Sequence, residues 1–142
     1  MNNTMKINSL MKKHFVDAKN VAVVGFSHDK LKIAHTVPKY LTNFYNVIPI
    51  NPYHEYISGL KAYPDVIEMD KAGEMADIVN IFRPSKDCLS IVEQVVSMTN
   101  LPKLIWLQLG IKNSEAKELA EKYNIDFIED KCIYVEHRDL MK

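Results

Sequence analysis

Net charge is the first thing this sequence lacks. Eighteen lysines and arginines balance eighteen aspartates and glutamates, so no global field draws the chain to nucleic acid or to an anionic membrane. An anionic ligand has to be caught by local groups. Cysteine is scarce as well: Cys88 and Cys132 stand far apart, outside any C-x-x-C pair, which argues against a zinc site or dithiol chemistry and predicts buried or free thiols. Asp29, Asp65 and Asp130 show neither paired-carboxylate nor metal-ligand spacing with a histidine, so no metal site is expected. There is no apolar run of roughly 20 residues. Met1 to Asp17 is polar with scattered apolar residues and has no secretory core, which gives the expectation of a cytoplasmic protein with no membrane partner.

Two nucleotide motifs are also missing. A dinucleotide fingerprint needs G-x-G-x-x-G and, about 20 residues on, an acid for the ribose diol. Here only Gly25 is present, and the second strand candidate ends in the neutral Asn51, which disfavours an NAD-binding redox sensor. The P-loop pattern G-x-x-x-x-G-K-[ST] is absent, and with it the commonest ATP-hydrolysing architecture.

What is present is a chain of 142 residues, 47% hydrophobic, enough for one continuous core and therefore one domain over 1–142, with an N-terminal helical extension over 1–20. Four apolar, β-branched runs have strand length: Val21 to Phe26, Asn46 to Ile50, Asp77 to Phe82 and Lys103 to Leu107; a weaker fifth is Ile125 to Ile128. The first and third are almost uninterrupted, as strands covered on both faces of a parallel sheet should be. Helical spacing lies between them. Ile33, Val37, Tyr40, Leu41 and Phe44 mark one stripe, and Leu89, Val92, Val95 and Val96 another. Pro38 fits a helix only in its first turn, which places the start near Ala34 to Val37. Further helices are expected at about Ile7 to Ala18, from Asn113 or Ser114 to Tyr123, and over Lys131 to Leu140. The alternation predicts right-handed βαβ crossovers and a doubly wound α/β sheet. Asn51 to Pro64 breaks the pattern and reads as a loop with a short extra turn or edge strand.

Ligands of open parallel sheets sit beyond the carboxyl ends of the strands. That rule nominates Gly25, Phe26 and Ser27 after the first strand, Asn51 and Pro52 after the second, Phe82, Arg83 and Pro84 after the third, and Gln108 and Gly110 after the fourth. Gly25 leaves room for backbone approach, Ser27 brings a hydroxyl, and the following helix aims free N–H groups at the same place. Lys30 and Lys32 can neutralise phosphate. His35 is either a phosphate contact through one nitrogen or a structural cap. Arg83 is either a ligand contact or half of an ion pair, and Trp106 reads as core ahead of adenine stacking. Cys132, Glu136 and His137 could form a nucleophile and base, but Cys132 and His137 lie five residues apart and point in different directions on a helix. Packing of the last helix, with Glu136 or His137 tying it to the sheet, is the better reading.

From Val21 to Leu140 the sequence resembles the small CoA-binding proteins that share the fold of the N-terminal domain of the succinyl-CoA synthetase α subunit. The resemblance is carried, in order, by Val-Ala-Val-Val-Gly-Phe-Ser (21–27), Ala-His-Thr-Val-Pro-Lys-Tyr-Leu (34–41), Val-Ile-Pro-Ile-Asn-Pro (47–52), Asp-Ile-Val-Asn-Ile-Phe-Arg-Pro (77–84), Trp-Leu-Gln-Leu-Gly (106–110) and Glu-Asp-Lys-Cys-Ile-Tyr-Val-Glu-His (129–137). It implies a Rossmann-like, mainly parallel five-stranded sheet with flanking helices, and coenzyme A, free or acylated, as ligand. The pyrophosphate and adenosine would lie over Gly25 to Ser27 and the start of the helix at Ala34 and His35. Asn51 and Pro52 would shape the adenine side, and Phe82, Arg83 and Pro84 would flank the entry. The loop from Ser27 to Ile33 departs from the resembling proteins in carrying lysines where an arginine is common, a point charge in place of a bidentate fork. The expectation is a noncatalytic carrier, sensor or subunit module, a monomer or weak homodimer, with a protein partner open. The alternative is an enzyme acting on CoA thioesters through Cys132, His137 or a partner subunit.

Overall fold

The apolar runs form the centre of the molecule. In the computed structural model, which describes residues 1–142, five strands make one parallel sheet: β1 (Asn20–Val24), β2 (Asn46–Ile50), β5 (Ile78–Ile81), β6 (Leu104–Leu107) and β7 (Asp126–Ile128), in the spatial order β2-β1-β5-β6-β7. Each neighbouring pair is parallel. The six helices are α1 (Asn3–Asp17), α2 (Ile33–Leu41), α3 (Val66–Lys71), α4 (Cys88–Val96), α5 (Ser114–Lys122) and α6 (Ile133–Leu140). A two-stranded hairpin, β3 (Tyr56–Ile57) and β4 (Leu60–Lys61), flanks β2.

Alternation along β1 sorts the core into two layers. Ala22 and Val24 join Val66, Met69, Val92, Val95, Ala116 and Ala120 beneath α3, α4 and α5. Val21 and Val23 join Met11, Phe15, Val37, Leu41, Trp106 and Ile133 beneath α1, α2 and α6. The sheet is thus covered on both faces, as near-continuous apolar strands require. Pro49, which has no N–H to give a ladder, lies in the edge strand β2, whose outer side is bridged to Tyr63 alone.

Several expectations shift. α1 begins at Asn3, four residues early, because the Asn2 side chain caps it by accepting the Met5 N–H at 2.8 Å. α2 begins at Ile33, so Pro38 lies in its second turn and not its first. Its buried stripe is His35, Val37, Pro38 and Leu41, whereas Ile33 and Phe44 are 68% and 55% exposed. The irregular stretch after Asn51 holds the hairpin, closed by Ser58 and Gly59 at φ +53° and +77°, a turn whose twist suits two antiparallel strands. α3 was not anticipated; Asp65 caps it by accepting the Glu68 N–H at 2.8 Å. α6 starts at Ile133, with Cys132 as its cap residue.

Candidate functional site

β1 is the strand from which the chain winds in both directions. From β1 to β2 it crosses through α2 on one face of the sheet, and after β2 it returns toward β5 through α3 on the other. The two connections part above the carboxyl ends of β1 and β5 and leave a crevice of about 560 Å³. Its walls are Gly25, Ser27, Lys32 and Ala34 from the β1–α2 segment, Ile50 to Tyr53 after β2, Pro64 to Val66 at the start of α3, Phe82 and Arg83 after β5, and Ile91 and Gln94 of α4.

Gly25 is fixed by geometry. Its φ is +88°, and a Cβ there would stand 3.1 Å from the Phe82 carbonyl oxygen and 3.3 Å from the Phe82 Cβ. The glycine therefore admits the neighbouring strand end as well as any ligand. Its N–H donates to the Ile50 carbonyl at 2.9 Å, which ties the turn to β2. The Ser27 N–H donates to the Ala34 carbonyl at 2.9 Å. That carbonyl is free because Pro38, four residues on, has no N–H with which to claim it. A proline in the second turn is thus tolerated, and the oxygen it releases holds the ligand loop.

Donors remain at this loop. Lys32 caps α2 without a side-chain hydrogen bond, and the backbone N–H groups of Phe26, Ile33 and Ala34 have no partner within the chain. Ser27 Oγ accepts the Asp29 N–H at 3.1 Å, which leaves the hydroxyl hydrogen available. Asn51 donates through Nδ2 to the Phe26 carbonyl at 3.0 Å and accepts the Tyr53 N–H at 2.8 Å, so it ties the second loop to the first. Such a turn of free amides at a helix start is suited to an anion.

Eight of the fourteen nominated residues meet at the crevice: Gly25, Ser27, Lys32, Ala34, Asn51, Pro52, Phe82 and Arg83. The other six lie elsewhere. Phe26 is fully buried in the core, and Lys30 and Pro84 are exposed outside the lining. His35 is buried, its Nδ1–H donating to the Ser27 carbonyl at 2.6 Å and its ring edge-on to Phe26, so it braces the loop from behind. Gln108 is buried beyond β6, where Oε1 accepts from Asn80 Nδ2 at 3.1 Å and from the Ile133 N–H at 2.9 Å. Gly110, at φ +83°, gives its N–H to Asp130 Oδ1 at 2.7 Å. Arg83 borders the crevice and is paired with Asp87 at 3.1 Å, which is the ion-pair reading of that residue. Val24 and Ile50 at the strand ends, with Tyr53, Pro64, Asp65, Val66, Ile91 and Gln94, complete the walls without having been nominated; Tyr53 and Pro64 lay in the loop singled out as irregular, and the Asp65-x-x-Glu68 capping pattern signalled a helix start there.

No cysteine or histidine lines the crevice. The Cys88 thiol is buried at the start of α4, and burial, with Asp87 and Glu129 adding to it, pushes its pKa up to about 11, so it stays protonated at neutral pH. Cys132 is the cap residue of α6, and His137 lies within the helix on its buried side. His137 is buried among Phe15, Tyr40, Phe44 and Tyr45, with Nδ1 2.7 Å from the Tyr40 hydroxyl, so it ties α6 to α2 and not to the sheet. The sheet is held instead through the Trp106 indole N–H, which donates to the Lys131 carbonyl at 2.7 Å. Trp106 is fully buried beside Phe15, away from the crevice. No three His, Cys, Asp or Glu side chains gather as a metal site, and no helix is long and apolar enough to cross a membrane.

A protein of Thermus thermophilus, solved as cell-free ID.343, superposes with a TM-score of 0.85 at 31% identity over 99% of both chains. The Bacillus subtilis protein YneT is 34% identical over 121 residues, covering 84% of this chain and 86% of that one. An ADP-forming acetate–CoA ligase of Methanocaldococcus jannaschii is 29% identical over 128 residues, of which this chain spans only 18% of the ligase. The family model described as CoA binding domain matches residues 19–138, the whole sheet with α2 to α5 and most of α6 but not α1, and on that match the chain belongs to the CoA-binding domain family.

Proposed function

We propose that the chain binds coenzyme A, free or acylated, in the crevice above β1 and β5, and that it does so as a noncatalytic module. The observation that supports this most is the set of unpaired donors around one turn: the amides of Ile33 and Ala34, the Ser27 hydroxyl and the Lys32 ammonium. They suit a pyrophosphate, whose charge is spread over several oxygens within reach of backbone N–H groups. The adenosine then lies on the side of Asn51, Pro52 and Tyr53, where the exposed Tyr53 ring offers a stacking face. Phe82 and Arg83 border the pantetheine arm. A protein partner fits the same reading, since in the ligase relative this domain is a small share of a longer chain.

Calorimetry of the purified protein with CoA, an acyl-CoA and NAD tests this. Micromolar or tighter binding of the CoA ligands and none of NAD is expected; binding of NAD with no binding of CoA would overturn the proposal. Arg83→Ala should weaken CoA by roughly 3- to 10-fold, less than a fully engaged charged hydrogen bond would give, because Asp87 already holds part of the guanidinium. An unchanged affinity would leave Arg83 a purely structural role.

A further inference from the structure

His28 and His54 lie on the two loops that wall the crevice, each next in sequence to a lining residue, Ser27 and Tyr53. Their rings are stacked, with centroids 4.2 Å apart and planes 33° apart. Neither ring takes part in any hydrogen bond or ion pair, although His28 is exposed and His54 half-buried. The chain's other three histidines all engage a partner: His14 an aspartate, His35 a carbonyl and His137 a tyrosine hydroxyl. The stacked pair is thus the one place where imidazole nitrogens are brought together with nothing to bond.

Charge around the pair is mixed. The β1–α2 loop carries Asp29, Lys30 and Lys32, and the β2–β3 loop carries Glu55. Asp29 Oδ1 accepts the Leu31 N–H at 3.0 Å. From the flanking elements, Lys39 of α2 donates to Ser58 Oγ, Lys61 of β4 lies over the Tyr56 and Tyr63 rings, and Asp65 caps α3. The permanent cations lining the crevice are only Lys32 and Arg83, and Arg83 faces Asp87. They are too few for a ligand that bears a phosphomonoester as well as a pyrophosphate. Two imidazolium rings at this distance repel each other, and a phosphate dianion set against both removes that repulsion.

We propose that His28 and His54 together form a proton-coupled subsite for the 3′-phosphate of the ligand, at the adenosine end of the crevice. The inference rests on the CoA reading above and adds to it a regulation: phosphate binding draws protons onto the pair, so acidification strengthens the hold on CoA relative to dephospho-CoA.

Calorimetry near pH 7, in buffers of different ionisation enthalpy, reads the protons taken up per ligand bound. At that pH a phosphomonoester is mostly dianionic and imidazole mostly neutral, so uptake reports the histidines. CoA should bind the wild-type protein with net proton uptake, and dephospho-CoA with less. In His28→Asn/His54→Asn, CoA should weaken to about the affinity of dephospho-CoA and the difference in uptake should vanish, while dephospho-CoA itself binds as before. The single variants should each lose part of the uptake. Equal proton counts for the two ligands, or an unchanged preference for CoA in the double variant, would overturn the inference and leave the CoA reading standing. Failure of both ligands to bind the wild-type protein would overturn both.

Discussion

Gly25 shows how a single residue sets both the sheet and the site. Its positive φ is one that L side chains rarely adopt, and the space where a Cβ would go is bounded by the backbone of Phe82, not by a flexible side chain. Gly25→Ala is expected to cost about 1–3 kcal/mol of stability and to weaken CoA by moving the turn that carries Ser27. Denaturant unfolding and ligand titration of the same preparation check it, and a variant as stable and as tightly binding as the parent would contradict it. Residues such as Gly25, Ser27, Asn51 and Phe82 were legible because each follows a buried strand. The same rule overshot at Gln108 and Gly110, since β6 lies one strand past the place where the chain changes direction, and there the strand end is absorbed by α6 and Asp130. Ile91 and Gln94 carry no local signal. They reach the crevice only because α4 packs beside α3.

α2 is where local structure and site are coupled. Pro38 leaves the Ala34 carbonyl without its helical partner, and Ser27 supplies the missing N–H from the ligand loop. Pro38→Ala restores an N–H that competes for that oxygen. The expected result is a helix at least as stable, faster amide hydrogen exchange at Ser27, and roughly 2- to 10-fold weaker CoA binding, the scale of one hydrogen bond. Unchanged exchange at Ser27 would show that the loop is held without this bond. The elements were legible in proportion to their length. The five sheet strands were found to within two residues because apolar, β-branched runs persist for four or five positions in all of them but β7, which has three residues. α3 has six residues and β3 and β4 two each, too short for a period to register, and their bounds are set by the Asp65 cap and the Ser58–Gly59 turn.

For the whole molecule, α6 closes one face by laying His137 into a ring cluster formed by α1, α2 and the residues after α2. Burial lowers the His137 pKa, so its folded value lies below its unfolded value. The unfolded chain then binds the extra proton first, and the contribution of His137 to stability is present above about pH 6.5 and lost as pH falls toward the folded value. His137→Phe should show a shallower loss of stability from about pH 7.5 to about pH 5.5 than the parent; parallel curves would assign the acid sensitivity to other groups. The layered arrangement, with one helix set on each face, was foreseeable from the uninterrupted strands. The closing role of His137 was not, since it depends on four aromatic residues distant in sequence.

The central claim is that CoA occupies the crevice between α2 and α3 at the carboxyl ends of β1 and β5. Backbone amide shifts followed during a CoA titration test it most directly. The account predicts that the largest changes fall on Gly25 to Ala34, Asn51 to Tyr53 and Phe82 to Arg83, with Gln108 and Gly110 nearly still. Changes centred instead on Gln108 to Ile111, or on the opposite end of the sheet around His14, Asp77 and Asp126, would contradict it.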